Sequence, residues 1–362
     1  MEVAENKNNL KWKLKQVLLY VPVFILILFA LIVTIIQIPI VQTKILNSLS
    51  KLVSSKTDYH IEIGHVNLSW YDNILFEDLK IYDNQDSILL TTHNISANIG
   101  LYNLVVNKKV IFDAIELKKP TVHLIKKTDS TAINITEFLI QLKGDQTNKN
   151  NQSSPIIIKL INIYDGIFTY NDLTKPLLEK GKDYSHFGYK SIFATASHFT
   201  QKADSIDFDL ISMKGIDMRE QLNVKSLSGL FSYCNQSITF SKLDLNTDNS
   251  QIRDSLRLNY SSSAALSSFV DSVSFFVNLD SSFISSDDIA LFAPSIDHIN
   301  QTYELSGEIK GTVGDLRTKN IHLKFGKNTE IKGDLNFFGL PKIEETFIDI
   351  NLGRATLTPD DF

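Results

Sequence analysis

Apolar and polar positions follow two periods along this chain, and the change between them falls near Tyr59. Before it, Val17–Val41 (VLLYVPVFILILFALIVTIIQIPIV) carries no charge, and from Val17 to Ile36 only Thr34 is clearly polar. Twenty helical residues reach about 30 Å, the hydrocarbon thickness of a bilayer. The stretch is longer than a signal-peptide core and has no small-x-small cleavage site near Ile38–Thr43, so it predicts a retained single membrane span. Trp12 and Tyr20 sit where interfacial aromatics lie. Residues 42–56 then continue as an amphipathic helix, with Val41, Ile45, Leu49, Leu52 and Val53 on one face. A helix lying on the membrane surface and the first helix of a domain, capping a sheet, both fit this segment.

From Tyr59 the period becomes two. Ile95, Ala97, Ile99 and Leu101 alternate with polar residues, as do Ile206, Phe208 and Leu210, and Leu256, Leu258 and Tyr260. The same holds for Val273, Phe275, Val277 and Leu279, although Phe276 falls on the polar side. Ile321, Leu323 and Phe325 follow, then Ile331, Leu335 and Phe337, and finally Ile348, Ile350 and Leu352. This is the pattern of antiparallel strands with one apolar and one wet face. Turn clusters separate them at Tyr82–Asp86, Thr128–Ser130 and Asn246–Asn249. Only two later segments read as helices: Ile135–Leu142, and Ser286–Phe292 with Ser286 or Asp287 as N-cap and Pro294 closing it.

The organisation that follows is a tail (1–16), a transmembrane anchor (17–41), an amphipathic helix (42–56), a first β unit (57–142), a polar linker (143–155) and a longer β region (156–362). Leu173–Lys190 reads as a polar surface loop on a hairpin. The last residues, up to Phe362, break off in mid-pattern, as an open edge strand or a fragment would. A sheet with so continuous an apolar face must pack as a sandwich, close as a barrel, or curl into a trough around something apolar. Periodicity leaves sandwich and trough equally open.

Charge and composition narrow the setting. Net charge is −5 and the pI about 5.9, which gives no electrostatic case for nucleic acid. Lys7, Lys11, Lys13 and Lys15 precede the span, whereas only Lys44 and Lys51 follow closely, so the N-terminus is expected in the cytoplasm and the bulk outside it. Cys234 is the only cysteine, which excludes an intramolecular disulfide and a cysteine zinc site. The eight histidines are scattered and no nucleophile elbow, P-loop or HExxH motif occurs. Asp287–Asp288 is explained by a helix N-terminus, and Gly307, Gly311 and Gly314 read as bulges or bends rather than a phosphate loop. Neither an enzyme nor a cofactor or metal is expected.

The order of features resembles the N-terminal part of the AsmA/TamB superfamily, in detail the TamB-like proteins of the Bacteroidota. The resemblance rests on the anchor ending at Pro39 and on Tyr59–Trp70 (YHIEIGHVNLSW) with Leu75–Asp83 as an opening hairpin. It extends through Ile88–Val105, Val110–Leu124, Thr131–Leu142, Gly215–Leu245, Leu305–Leu316 and Gly333–Phe347. The usual glycine of the Thr131–Leu142 element is absent. This likeness implies a mainly β protein: a transmembrane and an amphipathic helix, then antiparallel strands curled into an elongated open groove, with few short helices. It implies a single-pass inner-membrane protein with its bulk in the periplasm, conducting phospholipid between the inner and outer membranes and supporting outer-membrane protein assembly and secretion. The partner implied there is an outer-membrane β-barrel insertase, engaged through a C-terminal domain not found in this sequence. Acyl chains would lie against Ile95, Ile99, Phe208, Phe275, Phe325 and Phe337, and lipid would enter from the membrane beside Pro39, Ile45, Leu49 and Leu52. No basic cluster facing the groove is evident. The rival expectation is a membrane-tethered scaffold, a closed sandwich that assists outer-membrane protein insertion without binding lipid.

Overall fold

The computed structural model describes residues 59–361 except 70–72, 84, 101–110, 129–132, 136–154, 180, 263–264, 266–268, 292–297 and 341. The expected span, the amphipathic helix with Pro39, Ile45, Leu49 and Leu52, nearly all of the Ile135–Leu142 helix and most of the polar linker lie outside the described residues.

Among the described residues the alternation after Tyr59 forms strands, Leu101 lying outside them. The first five are β1 (His60–Ser69), β2 (Asn73–Tyr82), β3 (Ile88–Ile99), β4 (Ile111–Lys118) and β5 (Thr121–Lys126). Two long strands follow, β6 (Ile156–Asp172) and β7 (His186–Lys202), then β8 (Ser205–Asp217), β9 (Val224–Cys234), β10 (Ser237–Asn246) and β11 (Gln251–Tyr260). A one-turn helix α1 (Phe269–Ser272) leads into β12 (Val273–Ser285), which runs on into α2 (Ser286–Ala290). The last four are β13 (Thr302–Gly311), β14 (Asp315–Phe325), β15 (Thr329–Phe338) and β16 (Phe347–Thr356).

All sixteen strands belong to one sheet, and nearly every strand pairs with its neighbour in sequence. β1 and β16 do not pair with each other, so the sheet is open rather than a closed barrel. No second sheet occurs among the described residues, so the two-sheet packing left open by periodicity is not found there. At about 4.8 Å per strand the sheet extends for about 70 Å across its strands.

One step is not antiparallel. β4 and β5 both run parallel to β6, and a single register covers both, from Ile111 opposite Ile157 to Lys126 opposite Asp172. They are two halves of one strand, broken at Lys119–Pro120, where Pro120 has no N–H to give and Lys119 takes φ 51°. The break is bridged by the Lys119 amide donating to the Tyr164 carbonyl and the Ile167 amide donating to that of Pro120, both at 2.8 Å. Parallel strands require a long crossover, and residues 127–155 provide it. The polar linker is therefore part of a crossover within one continuous sheet.

Register shifts recur along the sheet and line up. Gly229, Lys242, Asp254, Ser281, Gly307 and Asn320, one on each strand from β9 to β14, all have positive φ. Asp254 lies opposite both Leu243 and Leu279, and Leu279 opposite Gly307, so the irregularities form a transverse line. Each bulge adds twist and bends its strand. Gly307 has φ 130°, and a Cβ there would come within 2.9 Å of both the Asn320 carbonyl oxygen and Ile321 Cδ1.

The two ends of the strands differ. At the end where Tyr59 enters β1, the chain leaves or enters strands beside Asp83, Asp172, Asp183, Asp217, Asp288 and Asp361, all buried. We call this the clamped end. At the opposite end, strands are joined by short turns at Ala203–Asp204, Asn235–Gln236 and Thr312–Gly314, and we call it the turn end.

Two local expectations need correction. The N-cap of α2 is Ser285, one residue earlier than expected, because Ser285 is extended (φ −78°, ψ 143°) and its hydroxyl accepts from the Asp287 amide. Ser286 is already helical and donates its hydroxyl to the Ile299 carbonyl. The loop between β6 and β7 is shorter than Leu173–Lys190, since strand resumes at His186, and it is no plain surface loop: Lys182 and Asp183 are buried.

Candidate functional site: the apolar face

Strand register carries the apolar alternation sideways across the sheet. One row runs Val66, Phe76, Ile95, Leu117, Ile163, Ala194, Met213, Leu227, Leu245, Ile252, each directly opposite the next on ten neighbouring strands. Two residues along, Ile74, Ala97, Ile115, Ile161, Ala196 and Leu210 form a parallel row. Nearer the turn end a third row runs Ile206, Tyr233, Ile238, Leu258, Phe275, Gly311, Leu316, Phe337, Ile348 from β8 to β16. Cross-strand partners share a face, so each row is a continuous apolar track perpendicular to the strands.

Between these rows lies an aromatic ladder. Phe199 and Phe208 have ring centroids 6.3 Å apart, Phe208 and Phe231 4.6 Å, and Phe231 and Phe240 5.0 Å. The ladder continues through Leu256, Val277 and Ile309. Bulges at Asp165, Ser191 and His198 reverse the parity of β6 and β7 in mid-strand, which is why IIIKLINIYDG does not alternate simply yet still feeds the same face.

Every one of the six expected contact residues lies on this face. Ile95 is in the first row; Ile99 lies four residues on and opposite Phe112, itself opposite Ile158 and then Phe199. Phe208 is a rung of the ladder, and Phe275 and Phe337 belong to the third row. Phe325 follows Leu323 on β14, and its ring meets that of Tyr303 edge-on at 5.5 Å. The six are not in one contact; they mark separate points along the tracks. Phe199, Phe231 and Phe240 were not singled out from sequence, and only pairing to Phe208 brings them together.

These side chains are half-buried rather than buried. Ile95, Ile99, Phe208, Phe275, Phe325 and Phe337 all keep part of their surface exposed. Fully buried apolar residues among those described are few, such as Tyr59, Leu89, Val273 and Ile321. Burial of apolar surface is worth about 25 cal/mol per Å², so a row of half-covered rings retains free energy that an apolar ligand could realise. The opposite face is polar: Thr200, Asp207, Ser232, Thr239, Arg257, Phe276, Lys310 and Arg317 form one of its rows.

The clamped end fixes the rim of this face with buried carboxylates. Lys182 donates to Asp217 at 2.5 Å, with the two side chains 8% and 0% exposed. Arg219 reaches Asp183 at 3.3 Å. The Thr247 hydroxyl donates to Asp288 at 2.6 Å, beside an exposed pair in which Asn223 donates to Asp248 at 2.7 Å. Beyond it, Asp361 accepts from the amides of Lys327, Asn328 and Thr329 and from the Thr329 hydroxyl, at 2.7–3.2 Å. The Lys182 amide also donates to the Leu291 carbonyl at 2.6 Å, carrying the β6–β7 loop across to the segment after β12.

The charge state of these groups follows from their surroundings. Burial pushes the Asp183 carboxyl up, but the Leu178 and Ser185 amides and His186 outweigh it and leave its pKa below the ordinary value. The same balance, won by Lys127 and two amides, lowers Asp83, and won by Thr174 and Lys126, lowers Asp172. For Asp361 the Lys327 amide and Thr329 hydroxyl lower the pKa directly. These are structural acceptors. No group of His, Cys, Asp and Glu able to hold a metal ion occurs among the described residues, and no described helix is long and apolar enough to cross a membrane.

No protein-family model, curated protein or solved structure matches this chain.

Proposed function

We propose that this protein is a membrane-anchored, periplasmic carrier that conducts phospholipid between the inner and outer membranes, its acyl chains lying along the apolar face of the sheet. The observation that carries this reading is the set of apolar tracks, the longest continuous across nine and ten strands, most of whose side chains remain half-exposed. Tracks perpendicular to the strands suit a flexible hydrocarbon chain, because every strand adds another apolar contact and none requires a fixed pose. The uncharged Val17–Val41 stretch would hold the sheet at a bilayer, and Tyr59 carries the chain into the sheet from that side. In this reading the carrier acts as members of the AsmA/TamB superfamily do, in concert with an outer-membrane insertase, and performs no catalysis.

Photo-crosslinking residues placed at Phe275 and Phe325 should capture phospholipid in cells. Asn278 and Lys324 lie on the opposite face, opposite Glu308 and Glu304 respectively, and serve as controls. Capture by the controls alone would sink the proposal. Purified full-length protein without bound lipid in native mass spectrometry would favour the scaffold that binds only protein clients.

A further inference from the structure

The polar face carries one concentration of positive charge that sequence spacing hides. Arg257 on β11, Phe276 on β12, Lys310 on β13 and Arg317 on β14 lie directly opposite one another in a single row. Three cations therefore fall within three strand spacings, about 14 Å of sheet, in a chain whose net charge is −5. All three are exposed, as is Phe276 at 39%. Like charges directly opposite on adjacent strands repel, and Lys310 faces Arg317 in this way. One carboxylate stands nearby: Asp315 accepts two hydrogen bonds from Arg317, at 2.9 and 3.1 Å. Arg257 donates to the Thr239 hydroxyl, at 3.3 Å. The next row on this face pairs Glu308 with Lys319 and adds no net charge.

The row sits beside the turn end, where the rim at Thr312–Gly314 bounds both faces. A shallow depression is lined by Phe275 from the apolar face together with Phe276, Lys310, Asp315 and Arg317 from the polar one. Gly311 belongs to the same lining and to the third apolar row, where it leaves no side chain between Phe275 and Leu316. The backbones pair here and the Asp315 carbonyl fills the place of a Gly311 side chain, so an amphiphile resting on the apolar face at Phe275 would turn its polar end over the rim at Thr312–Gly314 to reach the cations.

Building on the proposed lipid path, we infer that Lys310, Arg317 and Arg257 form a station for the phosphate of an anionic phospholipid whose acyl chains lie beside Phe275 and Leu316. Phosphate would relieve the Lys310–Arg317 repulsion through charge-assisted hydrogen bonds, and Arg suits phosphate through its planar fork of donors. Phe276 contributes an apolar flank to the headgroup.

The test is native mass spectrometry of the full chain in detergent, equilibrated with equal amounts of phosphatidylglycerol and phosphatidylcholine. The wild type should retain phosphatidylglycerol by about 10-fold over phosphatidylcholine, one charge-assisted contact's worth. In Arg257→Gln/Lys310→Gln, which spares the Arg317–Asp315 pair, that ratio should fall to near unity while total bound lipid and the melting temperature stay the same. Lys310→Arg should keep the preference. Equal retention of both lipids by the wild type, or an unchanged ratio in the double variant, would overturn the inference while leaving the lipid path intact. Loss of bound phosphatidylglycerol to millimolar inorganic phosphate, with phosphatidylcholine retained, would overturn it in favour of a free-anion site. Absence of both lipids from the wild type would instead count against the lipid path itself.

Discussion

The two ends of the strands solve one problem in different ways. Both must close hairpins of the same sheet, yet the turn end does so with short exposed turns, and the clamped end with buried carboxylates collecting amides, hydroxyls and ammonium groups. Asn235 at the turn end donates to exposed Asp204, whereas Asp217 at the clamped end is 0% exposed and receives Lys182. Buried polar groups stabilise only when satisfied and cost heavily when a partner is lost. The clamped end is thus conditional on charge, and the turn end is far less so. An open single-layer sheet cannot depend on a thick core. Its rims carry part of the fold's specification instead.

Acid should separate the two ends more than any other perturbation, because it strikes several clamps together. The folded pKa values of Asp83, Asp172, Asp183 and Asp361 lie below their ordinary values. Groups with depressed folded pKa values contribute stability that is fully present above the unfolded value, about 3.9, and is lost as pH falls through the folded one. Hydrogen-exchange protection around Asp83, Asp172 and Asp183 and at residues 326–329 should therefore be lost as pH falls below about 4 and through the depressed folded values, with residues 234–237 little changed. Equal loss at both ends would break the distinction.

Asp217→Ala follows in size. It leaves the Lys182 ammonium buried without its partner and strands the Arg219 and Leu222 amides. Breaking one member of a buried pair costs about 3–5 kcal/mol, readable as a drop in the urea midpoint. Lys182→Met/Asp217→Leu should recover part of the loss, since the uncompensated charge is then gone and only the amides remain unpaired.

The sequence made the strands legible where alternation survives, as in Ile206–Leu210 and Val273–Leu279. It hid them where a bulge reverses parity, as at Asp165 in β6 and His198 in β7, because period two presumes an unbroken register. The six expected contact residues fall on one face for a simple reason: each was chosen as an apolar member of an alternating run, and the sheet places such runs side by side. The clamps were illegible. Asp288 looked like a helix N-terminal acid, and only folding brings Thr247 to it from 41 residues away. The cationic row escaped notice likewise, since Arg257, Lys310 and Arg317 come from three strands. Residues 1–58, on which the membrane reading rests, lie outside the described structure.

Glycine substitutions compare the ends with less force. Gly326, in the β14–β15 turn, has φ 60°, and a Cβ there would collide with the Asp361 carboxylate. Gly326→Ala must adopt left-handed backbone and displace the clamp, so a loss of about 1–3 kcal/mol is expected. At Gly314, in the turn between β13 and β14, a Cβ would meet nothing nearer than the Leu340 carbonyl oxygen at 3.8 Å. Gly314→Ala should leave the thermal midpoint within error. Comparable losses in the two variants would show that the clamp adds nothing to the turn.

The smallest effect on stability is expected from Asp315→Asn. Its carboxyl is held below the ordinary range by the Arg317 guanidinium, but the two side chains are 49% and 58% exposed. Water and salt screen a pair in that position, so its removal should leave the melting curve superimposable on that of the wild type. The same change removes the carboxylate that competes with phosphate for Arg317. It should therefore strengthen retention of phosphatidylglycerol over phosphatidylcholine in native mass spectrometry, while Asp217→Asn, which weakens the opposite end, should not. A variant that is neutral in stability and positive in headgroup preference would mark the turn end as the rim where ligand is read and the clamped end as the rim that holds the sheet in shape. A fall in preference would instead mean that Asp315 positions Arg317 rather than competing for it.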